Sequence, residues 1–219
     1  MSKLEEFGMR YLAGQLPPWW YRIWMTVATV PLYKTTAKIT VQPIGIRPCL
    51  SRAIHKVVTR SAKPTLTKYF EPQQVVLSQA GAAKLVLGVR MLAEANCHFA
   101  VVKSDITNAF NNVSRGKILS VMEGAEELRH LVWHAAQTLA PSSALEHGGK
   151  RWGEAPEGAT QGDPPAGGYF SLAWHPQLRV LDAELARAGG AARAGMDDLY
   201  ALGPPEILFP ALEKFWREV

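Results

Sequence analysis

The sequence predicts an α+β fold of antiparallel strands and helices, on three observations. Two short apolar runs carry acids, CHFAVVKSDI ending near Asp105 and RAGMDDLYALG holding Asp197 and Asp198. Segments with apolar spacing near 3.6 surround them and read as helices. The order shows no regular βαβ repeat, which argues against a parallel sheet. At 219 residues the chain is long enough for a sizeable core, as one domain or two closely packed lobes.

Taken in order, residues 1–33 read as a helical lead-in punctuated by Pro17 and Pro18. The greasy run PPWWYRIWMTVATVPLY is interrupted by Arg22 and closed by Pro31, too short and broken to span a bilayer, and is expected to pack as a helix. KITVQPIGIRP, with β-branched residues and two prolines, reads as extended. LSRAIHKVVTRSAKPTLTKYF and residues 82–96 read as helices. CHFAVVKSDI reads as a buried strand ending at Asp105. Ser114 caps a helix running to about Leu139, with a break near Gly124. SALEHGGKRWGEA reads as a hairpin turning at Gly148 and Gly149. GGYFSLAWHPQLRVLDAELARA reads as a long helix that Pro176 should kink or split. RAGMDDLYALG is a hairpin with the acids at its tip, and PEILFPALEKFWREV is a final amphipathic helix.

Charge is unevenly spread. Residues 1–110 carry 14 Lys/Arg against 5 Asp/Glu, and residues 111–219 carry 10 against 14. Lys34 to Lys68 holds eight basic residues and no acid. A basic half joined to an acidic half fits a polyanion held by the first and metal by the second, or a solvated basic face. Cys49 and Cys97 are too few for a disulfide framework and lack zinc spacing, so free thiols are expected. His130 and His134 have a metal-compatible spacing, but no further ligand completes a set.

Adjacent acids in a short apolar hairpin repel one another and cost desolvation, unless a cation neutralises them. Three carboxylates on two strand-like segments therefore suggest two Mg²⁺ (or Mn²⁺) ions, the usual apparatus for joining or cutting phosphodiesters. A lone Asp at a strand end is more often a turn or cap; it is the trio in this order that points to metal.

With these blocks in place, residues 34–219 resemble a reverse transcriptase (RNA-directed DNA polymerase) of the non-LTR retrotransposon type. IGIRPCLSRAIHKVV resembles its fingers segment, FEPQQVVLSQAGAAKLVLGVRMLAE its next block, and SDITNAFNNVSRGKIL its first catalytic block. EGATQGDPPAGGYFSLAWHPQL resembles the Gln-Gly-Asp-Pro block, where Asp163 favours the non-LTR type over group II intron enzymes. GMDDLYALGPPE resembles the double-aspartate hairpin. Gly195 stands where the family carries an aromatic, removing a side chain near the primer end and loosening the hairpin; Gln42 stands where it carries Arg.

The resemblance implies right-hand polymerase fingers and palm, with a ferredoxin-like antiparallel palm sheet packed on helices and the thumb absent from these residues. Fingers would occupy 34–97, catalytic palm 98–113 and 153–219, and intervening helices 114–152. It implies transfer of dNTPs onto a DNA primer 3′-hydroxyl on an RNA template, with Asp105 and Asp197 as bridging metal ligands and Asp198 as the weaker one. Phe110 would exclude a 2′-hydroxyl, or be a core phenylalanine. Gln161 and Gly162 would border the nucleotide, the glycine letting backbone approach and the amide offering hydrogen bonds. Arg47 and Lys38 would hold triphosphate, with Arg47 equally open to a surface role. Arg52, Lys56 and Arg60 would grip phosphates of template or RNA–DNA hybrid, independently of sequence. An intracellular setting, cytoplasm or nucleus, is expected. A second expectation, of another class, is an inactive nucleic-acid-binding remnant of such a polymerase, motivated by Gly195 and Gln42.

Overall fold

A computed structural model of the chain describes residues 2–34, 40–106, 109–139 and 142–219, with backbone alone at 22, 31–34 and 40–43. In chain order the elements begin α1 (Lys3–Leu12), α2 (Pro18–Trp24), β1 (Val27–Lys34), β2 (Thr40–Ile46), α3 (Cys49–Phe70) and α4 (Gly81–Ala95). They continue β3 (Ala100–Asp105), α5 (Ala109–Asn112), α6 (Arg115–Gly124), α7 (Arg129–Leu139), β4 (Ser143–His147) and β5 (Lys150–Ala155). The last are α8 (Ala166–Ala186), β6 (Ala191–Gly195), β7 (Asp198–Gly203) and α9 (Pro205–Glu218). The chain forms two compact units, 1–62 with 110–166 and 63–109 with 167–219.

In the first unit, α1 opens with a reciprocal cap. The Glu5 N–H donates to Ser2 Oγ at 3.2 Å and the Ser2 N–H donates to Glu5 Oε2 at 2.7 Å, satisfying two otherwise orphaned donors. Tyr11, Trp24 and Met25 form a buried knot with Phe7, Trp20 and Ile54 packed on it. Residues 27–33, expected as helix, belong to strand β1. Val27 and Thr29 point inward while Ala28 and Val30 are exposed, a period of two with β-branched residues that favours a pleated strand over a helix. β1 pairs antiparallel with β2 and, through Val27↔Leu145 and Ala28↔Glu146, in parallel with β4. The sheet order is β2-β1-β4-β5, so one pair is parallel where an all-antiparallel arrangement was expected. The β4–β5 hairpin turns as expected at Gly148 (φ 57°) and Gly149 (φ 74°), the left-handed pair that such a turn requires. Ser114 caps α6 by accepting from the Lys117 N–H at 3.3 Å, and the helix breaks after Gly124 before α7.

In the second unit, β3, β7 and β6 form an antiparallel sheet in that order. β3 is its edge, and its residues alternate between half-buried and exposed, with Lys103 and Asp105 outward. The expected buried strand is thus half-exposed, an edge paired with β7 alone among the described residues. Residues 73–75 join the far edge: the Val75 N–H donates to the Ala194 carbonyl at 2.9 Å, and the Ala194 N–H to the Gln73 carbonyl at 2.8 Å. α8 is one helix across Pro176 rather than two. Leu172, Leu178, Leu181 and Leu185 are all buried, and that continuous apolar packing outweighs the single backbone hydrogen bond a proline removes. α9 lies against β7 and buries Leu208, Leu212 and Phe215.

Candidate metal centre and nucleotide-bordering turn

Asp105 is the last residue of β3 and Asp198 the first of β7, and the two are direct partners across the ladder. Directly opposed residues share a face with Cβ atoms about 5 Å apart. Asp197 sits beside them in the hairpin tip, after Met196 in a left-handed conformation (φ 60°), and its carbonyl accepts from the Ile106 N–H at 3.3 Å. The three acids named from sequence therefore converge at one end of one sheet. Lys103, two residues back on the same face, reaches Asp198 Oδ1 at 3.0 Å and lies 5.6 Å from the Tyr200 ring centroid. The Asp198 hydrogen bond and charge raise the Lys103 pKa. Among the described residues no three Asp, Glu, His or Cys side chains are gathered tightly enough to enclose an ion by themselves.

Gly195 does not loosen the hairpin. It pairs with Asp198, and a Cβ there would lie 3.3 Å from Leu85 Cδ2 and 3.5 Å from Val75 Cγ2. The missing side chain lets α4 and the 73–75 segment close onto the sheet beside the acids. Asp182 holds the neighbouring strand from below, accepting from the Ala192 N–H at 3.0 Å and pairing with Arg193.

Gln161 and Gly162, expected to border a nucleotide, belong to a turn of the first unit. Its entry is fixed at Gly158 (φ 83°), where a Cβ would meet the Asn111 carbonyl oxygen at 2.5 Å. The Ala159 N–H donates to the Phe110 carbonyl at 2.7 Å, which ties α5 to this turn. Arg115, buried, donates to the carbonyls of Gly158 (2.8 Å), Leu139 (2.8 Å), Ala155 (3.0 Å) and Glu157 (3.2 Å), and burial pulls its pKa down. Gln161 is half-buried, its carbonyl accepting from the Gly45 N–H at 3.3 Å. Gly162 is exposed with φ 98°, and a Cβ there would stand 3.2 Å from the Gly45 carbonyl oxygen. A cavity of about 180 Å³ is lined by Gly45, Asn111, Arg115, Thr160 and Gln161, below the 300–1,000 Å³ usual for a bound small molecule.

Arg47 is neither a surface residue nor a free substrate grip. It is 3 % exposed and turned inward, with Nε 3.0 Å from Asp163 Oδ2. That contact is too oblique for an aligned hydrogen bond, so it acts as an ion pair. Its terminal nitrogens donate to Met25 Sδ (2.9 Å) and Thr160 Oγ1 (3.1 Å). A buried guanidinium needs a counter-charge, and Asp163 supplies it. Arg52, Lys56 and Arg60 are exposed at four-residue intervals along α3, spanning roughly 12 Å of one ridge. Lys38 lies outside the described residues.

Sequence reasoning missed His55, Tyr11 and the role of Asp163. His55 Nδ1 lies 2.9 and 3.0 Å from the two Asp163 oxygens, and Nε2 lies 3.1 Å from the Tyr11 hydroxyl. A carboxylate only accepts, so Nδ1 carries a proton, and Nε2 shares a hydrogen bond with the Tyr11 hydroxyl. Burial pushes the Tyr11 hydroxyl up to about 12. The signal was available: residues 51, 55, 62, 66 and 70 of α3 are buried at helical spacing, and His55 is on that stripe.

The fold has a counterpart among solved structures. An apo telomerase from Candida tropicalis, truncated of its C-terminal domain, superposes with TM-score 0.58 over 88 % of this chain at 10 % identity. The likeness is one of fold. The chain spans about half of that structure, 46 % of its length. No protein-family model matches the sequence, and no curated protein does. Among the described residues no helix is long and apolar enough to cross a membrane.

Proposed function

We propose that this chain is the fingers-and-palm part of an RNA-directed DNA polymerase, of the non-LTR retrotransposon type its sequence blocks resemble. The observation that carries the reading is the direct pairing of Asp105 with Asp198, with Asp197 alongside. Carboxylate oxygens are hard donors suited to Mg²⁺ or Mn²⁺, and Mg²⁺ is commonly held by one or two carboxylates, with substrate phosphates and water completing its shell. The acids fit that demand without a closed protein cage. Asp105 and Asp197 would bridge the ions, with Asp198 the weaker ligand. Bound there, the ions would neutralise the triphosphate and lower the pKa of the primer 3′-hydroxyl. Gln161 and Gly162 would border the dNTP, and Phe110 would disfavour a 2′-hydroxyl. Arg52, Lys56 and Arg60 would hold RNA template, DNA primer or their hybrid by phosphate contacts.

The test is extension of a DNA primer on an RNA template with dNTPs and Mg²⁺ or Mn²⁺. Extension is expected from the wild type and none from Asp197→Ala; equal extension by both contradicts the reading. The Lys103–Asp198 pair favours a second reading, a nucleic-acid-binding remnant in which a lysine already neutralises the acid. That reading predicts salt-dependent RNA binding unchanged by Asp105→Asn and no extension at all.

A further inference from the structure

The first unit contains a buried chain of polar groups that the proposed chemistry does not itself use. Tyr11 and His55 are fully buried, and Asp163 and Arg47 nearly so. Hydroxyl, imidazole, carboxylate and guanidinium follow one another at 3.1, 2.9 and 3.0 Å. Burying four polar groups of this size is costly unless each is paired, so the order of partners is strictly constrained. Its far end is the turn of the candidate site: Asp163 is the next residue after Gln161 and Gly162, its N–H donates to the Thr160 carbonyl at 3.0 Å, and its carbonyl accepts from the Ala166 N–H at 3.0 Å. Arg47 grips the same turn at Thr160 Oγ1. Its near end is α1, the helix whose Tyr11 sits in the aromatic knot.

We propose that Tyr11 and His55 are positioning residues, which act through the Asp163 carboxylate to set the conformation of the Thr160–Asp163 turn. This rests on the reading of Gln161 and Gly162 as nucleotide-bordering only for its catalytic consequence; the coupling stands or falls separately. Asp163 has two oxygens and two cationic or N–H partners. Arg47 alone leaves the carboxylate free to rotate, whereas the His55 ring, held at Nε2 by the Tyr11 hydroxyl, fixes its plane. The N-terminal helix thereby sets the loop that would meet the substrate.

Tyr11→Phe keeps the ring in the aromatic knot and removes only the hydroxyl. Amide hydrogen exchange on the full chain is expected to quicken at least about tenfold at the Gly45 and Asp163 amides, the two N–H groups that close this turn, with β3–β7 amides unchanged. The ¹⁵N shifts of His55 are expected to keep the Nδ1–H that faces Asp163 and to change at Nε2, which loses its hydroxyl partner in the same variant. Where primer extension is measurable, the KM for dNTP rises while kcat is kept. Exchange unchanged at Gly45 and Asp163, or raised equally across both units, overturns the proposal, and so does a His55 Nε2 shift that Tyr11→Phe leaves unmoved. His55→Gln, if folded, must reproduce the exchange pattern of Tyr11→Phe. Failure of primer extension with the exchange pattern present would count against the polymerase reading alone.

Discussion

His175 satisfies both ring nitrogens without a charge. Nε2 donates to the Tyr69 carbonyl at 3.0 Å, and Nδ1 accepts from the Gln74 amide at 3.2 Å. Burial lowers its pKa from 6.5 to about 4; burial and the neighbouring His55 do the same to His134. Both rings are neutral in the fold, while the unfolded chain takes up their protons below about pH 6.5. Their contribution to stability is therefore complete above that pH and declines as pH falls towards 4, on the order of 1 kcal/mol per pH unit for each ring. Urea denaturation at pH 7 and pH 5 should show a lower midpoint at the acid pH, with His175→Gln removing about half of the slope. Gly158 is a second residue-scale case. Its positive φ and the carbonyl oxygen 2.5 Å from where a Cβ would stand predict that Gly158→Ala costs roughly 2 kcal/mol or more in the same assay. At this scale the sequence was partly legible. That Asp105, Asp197 and Asp198 meet at one sheet end was legible because adjacent carboxylates in an apolar hairpin are costly; Arg47 was misplaced because its counter-ion, Asp163, is remote in sequence.

Elements were read best where period and punctuation agreed. The β4–β5 turn, the break at Gly124, α4 and the β6–β7 hairpin all followed from local chemistry. β1 was missed because its alternation was hidden inside an aromatic run, and its partner β4 lies more than a hundred residues away. The parallel pairing of those strands has no local signal at all. α8 ran through Pro176 because tertiary burial overrode a local penalty. For α3 the exposed ridge of Arg52, Lys56 and Arg60 carries a prediction of its own. Like charges at four-residue spacing weaken an isolated helix, so the ridge suits a polyanion rather than stability. Replacing all three by Ala should reduce the slope of log affinity against log salt for single-stranded RNA by about 2, at about 0.7 per lost phosphate contact. An unchanged slope would place the nucleic-acid contact elsewhere.

For the whole molecule, the fold likeness to a telomerase covers most of the chain at an identity where sequence comparison is silent. That silence has a physical basis: a backbone topology can be kept while different apolar residues fill its core. The three acids come from segments about ninety residues apart and meet only because β3 pairs with β7. This meeting point is expected to hold divalent cations. Mn²⁺ titration followed by paramagnetic broadening of backbone amides, with a dNTP present, tests it directly. Broadening should centre on residues 104–106 and 196–199 and vanish in Asp105→Asn. Broadening absent from those residues, or undiminished in the variant, would contradict it.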